Sequence, residues 1–253
     1  MPNQSGLSVV VTRPAHQAGE LCELIRASGH NPIEFPVTQI KSPPTGDCEF
    51  LDGLLRAKTT EIFIFVSPNA VRYGLSAIKK SGVKTLENSL VLAIGPGTAK
   101  ALVEAGVENV RFPQEDYNSE ALLTLDELQK ITGRNVLIVR GNTGRERLAQ
   151  ELAGREGCVY HLPCYQRQVI SKFDEQILNN WRINGYDFLV VTSITTINHL
   201  FEILGLELKE LTAEMKIVFA SNRILDHWMS VGLKGSFVSA RNPSLSELVA
   251  AIG

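Results

Sequence analysis

Two similar α/β domains, each a doubly wound parallel sheet of about five strands, are predicted for this chain by three observations. The first is an internal copy: residues 9–36 lie on residues 136–163 without a gap, pairing Arg13 with Arg140, Leu21 with Leu148, Ile25 with Leu152 and Pro36 with Pro163, each pair 127 positions apart. The second is rhythm. Short apolar runs alternate with Ser/Thr/Asn/Gly turns and helix-period stretches, the pattern of a parallel sheet covered on both faces. The third is length, since 253 residues exceed one small core and fit two domains of about 100–150 residues.

In chain order, VVVT at 9–12 opens the first copy as a strand, followed by an Arg, a polar turn, an amphipathic helix and a second short strand that stops at Pro36. The repeat continues beyond this unit: residues 63–78 match 188–203 at an offset of 125, and 91–107 match 217–233 at 126. Strands are expected near 8–12, 32–37, 62–66, 90–94 and 109–112, and again near 135–139, 158–164, 187–191, 216–220 and 236–238. Helix patterns end near Gly82, Gly106, Gly205 and Gly232, as helices stopped by a C-terminal glycine do. Right-handed crossovers place ligand-binding loops at the strands' carboxyl ends, here 12–17, 67–70, 95–98, 140–144, 192–196 and 221–223. The expected fold is therefore flavodoxin-like or Rossmann-like in each half.

After Pro36 and after Pro163 come two extended polar and β-branched stretches, read as linkers at about 37–42 and 164–170. Two linkers imply two crossings. One domain is then residues 1–37 with 170–253, and the other is 38–169. A single linker near 126–133 would instead serve two consecutive domains, and the pattern alone leaves both open.

Composition narrows the chemistry. Hydrophobic residues make up 44% and charged residues 21%, which fits a folded globular chain. No run approaches the ~20 apolar residues that span a bilayer, and residues 1–12 lack a basic start before an apolar block, so a cytoplasmic chain is expected. A net charge of -2 argues against a nucleic-acid surface. Cys22, Cys48, Cys158 and Cys164 form no CxxC pair, and His16, His30, His161, His199 and His227 are scattered with no HExxH, so no metal is expected. There is no GxSxG elbow and no GxxxxGK[ST] loop. Gly95-Pro96-Gly97 lacks the third glycine of a dinucleotide fingerprint and reads as a tight turn.

What remains is a distributed anion site. The six loops supply Thr12, Arg13, Ser67, Asn69, Gly95, Thr98, Arg140, Gly141, Asn142, Ser193, Thr195, Ser221 and Asn222 as candidate ligand-binding residues. They sit where strands end and helices begin, so backbone N–H groups and the positive end of the helix dipole face outward. Ser, Thr and Asn are also preferred helix caps whatever the function. Arg13 and Arg140, at the ends of equivalent strands, are expected to stay out of the core and offer a planar fork to carboxylates. Tyr165, just past Pro163, enters the second linker as a general acid or hydrogen-bond donor at the mouth of an interdomain cleft, or as a hinge packing residue.

VTRP at 11–14, FVSPNAV at 65–71, AIGPGTAKAL at 93–102, LIVRGNTGRERL at 137–148 and CYQR at 164–167 together resemble the uroporphyrinogen-III synthase family, in order and spacing, over nearly the whole chain. The second half departs from the family in ITT after the VTS at 191–193 and in ASNR at 220–223. The resemblance implies two α/β domains joined by a two-stranded linker, which favours the interleaved arrangement. It implies a cofactor-independent lyase that cyclises hydroxymethylbilane, a linear tetrapyrrole with eight carboxylates. Water is lost and ring D is inverted through a spiro intermediate, on the way to haem. It implies that Tyr165 assists hydroxyl departure. The expected partners are the bilane substrate and, transiently, hydroxymethylbilane synthase handing it over, with no nucleic acid or membrane and a monomeric chain. The alternative is a non-catalytic two-domain binding protein for a small polyanion; a phosphosugar or nucleotide enzyme on the same fold is disfavoured by the missing phosphate loops.

Overall fold

The computed structural model describes residues 6–83, 86, 88–144, 146–242 and 244–253. Ten strands are present among them: β1 (Ser8–Val11), β2 (Asn31–Glu34), β3 (Thr38–Lys41), β4 (Ile62–Phe65), β5 (Leu90–Ala93), β6 (Asn135–Gly141), β7 (Cys158–Val169), β8 (Phe188–Val191), β9 (Lys216–Phe219) and β10 (Ser236–Ser239). They form two five-stranded sheets, ordered β10-β9-β8-β1-β2 and β3-β7-β6-β4-β5. β1 pairs in parallel with β2 and β8, and β6 in parallel with β4 and β7. The central strands are apolar on both faces, as in SVVV of β1 and IFIF of β4, because helices cover each sheet on both sides.

The internal copy is visible in these orders. β1, β2, β8 and β9 correspond to β6, β7, β4 and β5, and the spatial sequences β2-β1-β8-β9 and β7-β6-β4-β5 are the same. One arrangement is thus built twice with different chain order.

The chain divides into two compact units, residues up to Ile40 with Gln168–Gly253, and Lys41–Arg167. It passes from one to the other along β3 and β7. In the first unit, helix Ala15–Ala27 buries Ala18, Leu21, Cys22 and Ile25, the i, i+3, i+4, i+7 spacing of one helix face, in the core with β1. Phe35 meets Trp181 edge-on at 5.7 Å between ring centres, and the Trp181 indole N–H donates to the Leu211 carbonyl at 3.0 Å, so this aromatic core leaves no polar group unmet.

In the second unit, the helical stretch after β4 runs through Pro68–Ala70, Val71–Leu75 and Ser76–Lys80, its middle part widened to π geometry. Gly74 lets that widened turn lie on the sheet. A Cβ there would come within 2.3 Å of Val139 Cγ1 and 3.1 Å of Cys164 Sγ. Four helices do end on glycines in the left-handed region, with φ of +98° at Gly82, +82° at Gly106, +56° at Gly205 and +77° at Gly232.

Several expectations need correction. Residues 109–112 form no strand, only an isolated bridge between Leu92 and Arg111, since Asn109 at φ +54° and Pro113 close the stretch on either side. The linkers expected at 37–42 and 164–170 are where the chain changes unit, between Ile40 and Lys41 and between Arg167 and Gln168. Both are strand, in β3 and β7, because their β-branched and aromatic alternation suits a pleated strand. Gly95-Pro96-Gly97 is a helix start. Pro96 stands at the first position of helix Pro96–Glu104, where its fixed φ is already helical and no N–H is missed.

Gly74→Ala is expected to cost about 1–3 kcal/mol by overpacking, whereas Gly19→Ala, with nothing within 4 Å of the added methyl, should gain about 0.5–1 kcal/mol from helix propensity. Urea unfolding of both variants checks this. An unchanged midpoint for Gly74→Ala would show that the helix does not sit on β6 and β7 so closely.

Candidate functional site

In an open parallel sheet the crevice for a ligand lies where chain order reverses, beyond the strands' carboxyl ends. In the first unit that point falls between β1 and β8, and in the second between β6 and β4. Each is flanked by helix starts with extended caps: Ser193 (φ −157°) and Ser221 (φ −169°) in the first unit, Ser67 (φ −170°) and Gly95 (φ −178°) in the second. The capping reading holds for two of them, since Ser67 Oγ accepts from Ala70 N at 3.0 Å and Ser193 Oγ from Thr196 N at 3.1 Å. Ser221 makes no such bond. Gly95 has no room for a side chain, because a Cβ would lie 2.9 Å from Tyr117 Cβ.

The second unit's switch point holds the densest chemistry. β6 and β7 pair up to Gly141 beside Tyr165, with a register shift after Arg140. That shift lays the Tyr165 ring over Gly141, where a Cβ would meet Cε2 and Cζ at 2.9 Å. The Asn142 N–H donates to the Tyr165 carbonyl at 2.9 Å and locks the pairing. The phenol oxygen lies 3.1 Å from Ser67 Oγ and accepts from Arg167 Nη2 at 3.4 Å, with the Arg167 guanidinium 5.6 Å from the ring centre. Tyr73, on the π turn, has its ring centre 6.1 Å from that of Tyr165. Ser67, Gly141, Asn142 and Tyr165 are therefore brought together in one place.

Tyr165 does not stand at a mouth. It is 3% exposed, because Gly141 leaves the space the ring fills. Arg140 also departs from expectation, being buried at 8% exposure. Its charge is tolerated because Glu146, six residues on, accepts from Nη1 at 2.8 Å, and Gly144 is small enough for the loop to close round the guanidinium. The Arg140 hydrogen bond holds the Glu146 carboxyl below its ordinary value. His161 is half-buried, 3.8 Å from Glu49 and 3.9 Å from Glu146. Burial first, and the Arg140 charge second, push its pKa down, so it is held neutral. Cys164 is buried beside the Arg140 and Ala70 carbonyls, and burial raises its thiol to about 12.

The remaining expected residues divide. Asn142 is exposed and Ser193 and Thr195 are half-buried, all at strand ends as expected, while Asn69 and Thr98 are buried in the first turns of their helices. Asn222 is exposed at the start of helix Asn222–Ser230. Thr12 is fully buried and its hydroxyl donates to the Val190 carbonyl at 2.8 Å, tying β1 to β8 at their switch point. Arg13 makes no salt bridge among the described residues, and burial lowers its pKa against the opposing charge of Glu20. Sequence reasoning missed Glu146 and Arg167. Residues 165 and 167 share one face of a strand, a signal hidden once that stretch was read as a linker.

Three comparisons bear on this arrangement. The model of the family described as uroporphyrinogen-III synthase HemD matches residues 19–250. The uroporphyrinogen-III synthase of Escherichia coli is 31% identical over 198 residues, covering 78% of this chain and 80% of that protein. That of Salmonella typhimurium is 32% identical over 190 residues, covering 74% and 76%. Among solved structures, uroporphyrinogen-III synthetase from Helicobacter pylori has a TM-score of 0.64 at 15% identity over 97% of each chain, and a uroporphyrinogen III synthase mutant from Thermus thermophilus has 0.61 at 21% over 97% and 96%. These two share the fold.

Because the Glu146 carboxyl is lowered in the folded state, its contribution to stability is complete above the unfolded carboxylate value and is lost as pH falls through the lowered one. Glu146→Gln should therefore be less stable than the unaltered protein at pH 7, with the gap closing on acidification. Urea midpoints measured across that range would contradict the pairing if the gap were constant.

Proposed function

The chain belongs to the uroporphyrinogen-III synthase family, and from that membership we propose that it cyclises hydroxymethylbilane to uroporphyrinogen III, with loss of water and inversion of ring D through a spiro intermediate. The observation that carries this reading is the set of extended helix starts at the strand ends, two in each unit, at Ser67, Gly95, Ser193 and Ser221. A bilane with eight carboxylates is matched by many short backbone donors better than by one strong cationic pocket.

The reaction needs departure of a hydroxyl, curling of a flexible chain, and exclusion of the spontaneous closure that gives the uninverted isomer. Anchored arms turn closure into an intramolecular step with the ends already near each other. N–H groups fixed by the fold cost no reorganisation when charge develops. Within each unit, the residues proposed to hold substrate carboxylates are those at the strand ends: Arg13, Ser193, Thr195, Ser221 and Asn222 in one, and Asn69, Gly95, Thr98, Gly141 and Asn142, with the backbone of the helix start at Ser67, in the other. Thr12 and Arg140 shape these ends from beneath. Tyr165 is proposed to assist hydroxyl loss. The same reading includes a monomer in the cytoplasm receiving bilane from hydroxymethylbilane synthase; no described helix is long and apolar enough to cross a membrane.

Incubation with fresh hydroxymethylbilane and chromatographic separation of the isomers tests the activity. Inverted product above the buffer rate is expected; uninverted product alone, at the buffer rate, would leave only the non-catalytic binding protein. Tyr165→Phe should slow turnover on the order of 10²-fold without abolishing it. Ser193→Ala, which removes one anchor among many, should cost only about 0.5–1.5 kcal/mol in kcat/KM.

A further inference from the structure

Resting on that reading of the activity, we infer that Ser67 is the group that protonates the departing hydroxyl, and that Tyr165 acts through it as the inner member of a two-hydroxyl relay. Tyr165 is 3% exposed, with its ring against Gly141 and its oxygen 3.1 Å from Ser67 Oγ. Ser67 is half-buried at the end of β4, so of the two hydroxyls it is the one open to a ligand.

The direction of the hydrogen bonds follows from the donors present. Arg167 carries donors only, so the phenol oxygen accepts from its Nη2 at 3.4 Å. In the relay the phenol sends its own proton to Ser67 Oγ, 3.1 Å away, a direction open to this pair of hydroxyls. That oxygen also accepts from Ala70 N at 3.0 Å, which fills both of its lone pairs. The Ser67 proton is left to point away from both neighbours, toward whatever occupies the switch point.

The internal copy supplies a comparison inside the same molecule. At the 127-residue offset Thr38 stands where Tyr165 does, and its hydroxyl bonds His199 Nδ1 at 2.8 Å. Ser193, which caps the helix after β8 as Ser67 caps the one after β4, pairs with Thr196 Oγ1 at 2.9 Å. The same scaffold thus carries no serine–phenol pair in the other unit among the described residues.

In the step itself the C–O bond of the hydroxymethyl group breaks and its electron pair leaves with oxygen. The Ser67 proton joins that oxygen to make water, and Ser67 takes the Tyr165 proton. The resulting phenolate faces the Arg167 cation. The pyrrole nitrogen of the ring that bears this group supplies the electron pair that the hydroxymethyl carbon loses, leaving a cationic azafulvene that closes on the substituted carbon of the last ring to give the spiro intermediate. The unsubstituted carbon of that last ring releases its proton once the rearranged macrocycle has closed, and this proton returns through Ser67 to Tyr165, so one water is the only net loss.

Single-turnover rates of bilane consumption, with separation of the isomers, test this on the whole protein. Ser67→Ala and Tyr165→Phe are each expected to fall on the order of 10²-fold, and the double variant should be no slower than the slower single, because the two hydroxyls act as one unit. Ser67→Thr keeps the cap and the hydroxyl and should retain most of the rate. The bilane concentration giving half-maximal rate should be unchanged in Tyr165→Phe, whose lost group does not touch substrate. In H2O/D2O mixtures the unaltered protein should show the curved dependence of two protons moving together, and Ser67→Ala a weaker, linear one. A Ser67→Ala rate near that of the unaltered protein, multiplicative losses in the double variant, or a Ser67→Thr variant as slow as Ser67→Ala would overturn the relay. An unaltered protein that makes only uninverted product at the buffer rate would instead overturn the activity itself.

Discussion

Where β6 and β4 run side by side, the chain leaves their carboxyl ends in opposite directions along the sheet, from β4 to β5 and from β6 to β7. No helix can cover the gap this leaves, and buried backbone groups there must find partners. Everything distinctive in the second unit answers that constraint. The Tyr165 ring fills the space above Gly141, the Tyr165 carbonyl takes the Asn142 N–H, and Cys164 turns its thiol to the Arg140 carbonyl. In the first unit the same gap, between β1 and β8, is tied by the Thr12 hydroxyl on the Val190 carbonyl. The switch points are therefore braced before any ligand arrives, and the helix starts around them are held in fixed directions.

Charge is distributed accordingly. Arg140 is buried, and the more exposed Glu146 balances it, so this guanidinium is not a free fork for a carboxylate. His161 beneath it is held neutral, since a second cation beside Arg140 would be both desolvated and repelled. Of the two repeated arginines only Arg13 makes no salt bridge among the described residues, its counterpart having been drawn into the fold.

The fold was legible because periodicity reports burial directly: strands covered on both faces read as unbroken apolar runs, and the 127-residue copy announced that one arrangement is used twice. The four helix-ending glycines were legible for the same local reason. Residues 38–41 and 164–169 were less so, because exposed and half-buried strand positions carry polar side chains that look like loop. Arg140 misled for a different reason. A buried guanidinium is recognised by its counter-ion, and nothing local marks Glu146 as that partner until the loop closes around Gly144. Tyr165 is picked out by its place just past Pro163, and the resemblance adds its role, but its burial depends on Gly141 across a register shift, a contact between strands that sequence spacing does not encode.

A duplicated scaffold by itself gives two equivalent anion sites, and two equivalent sites can hold a polyanion without changing it. Chemistry that acts at one end of a linear molecule needs the two halves to differ. They differ most sharply at one equivalent position, where Thr38 reaches His199 in one unit and Tyr165 reaches Ser67 in the other. Four strands around these residues are alike in order, but Tyr165 lies inside the unbroken β7 whereas Thr38 lies on β3, separate from β2. The difference is carried by that continuity and by side chains, a phenol long enough to cross from β7 to the end of β4 and a glycine on β6 that lets it pass. The repeat thus supplies the common scaffold, and the asymmetry between the units lies at the place where the repeat is broken.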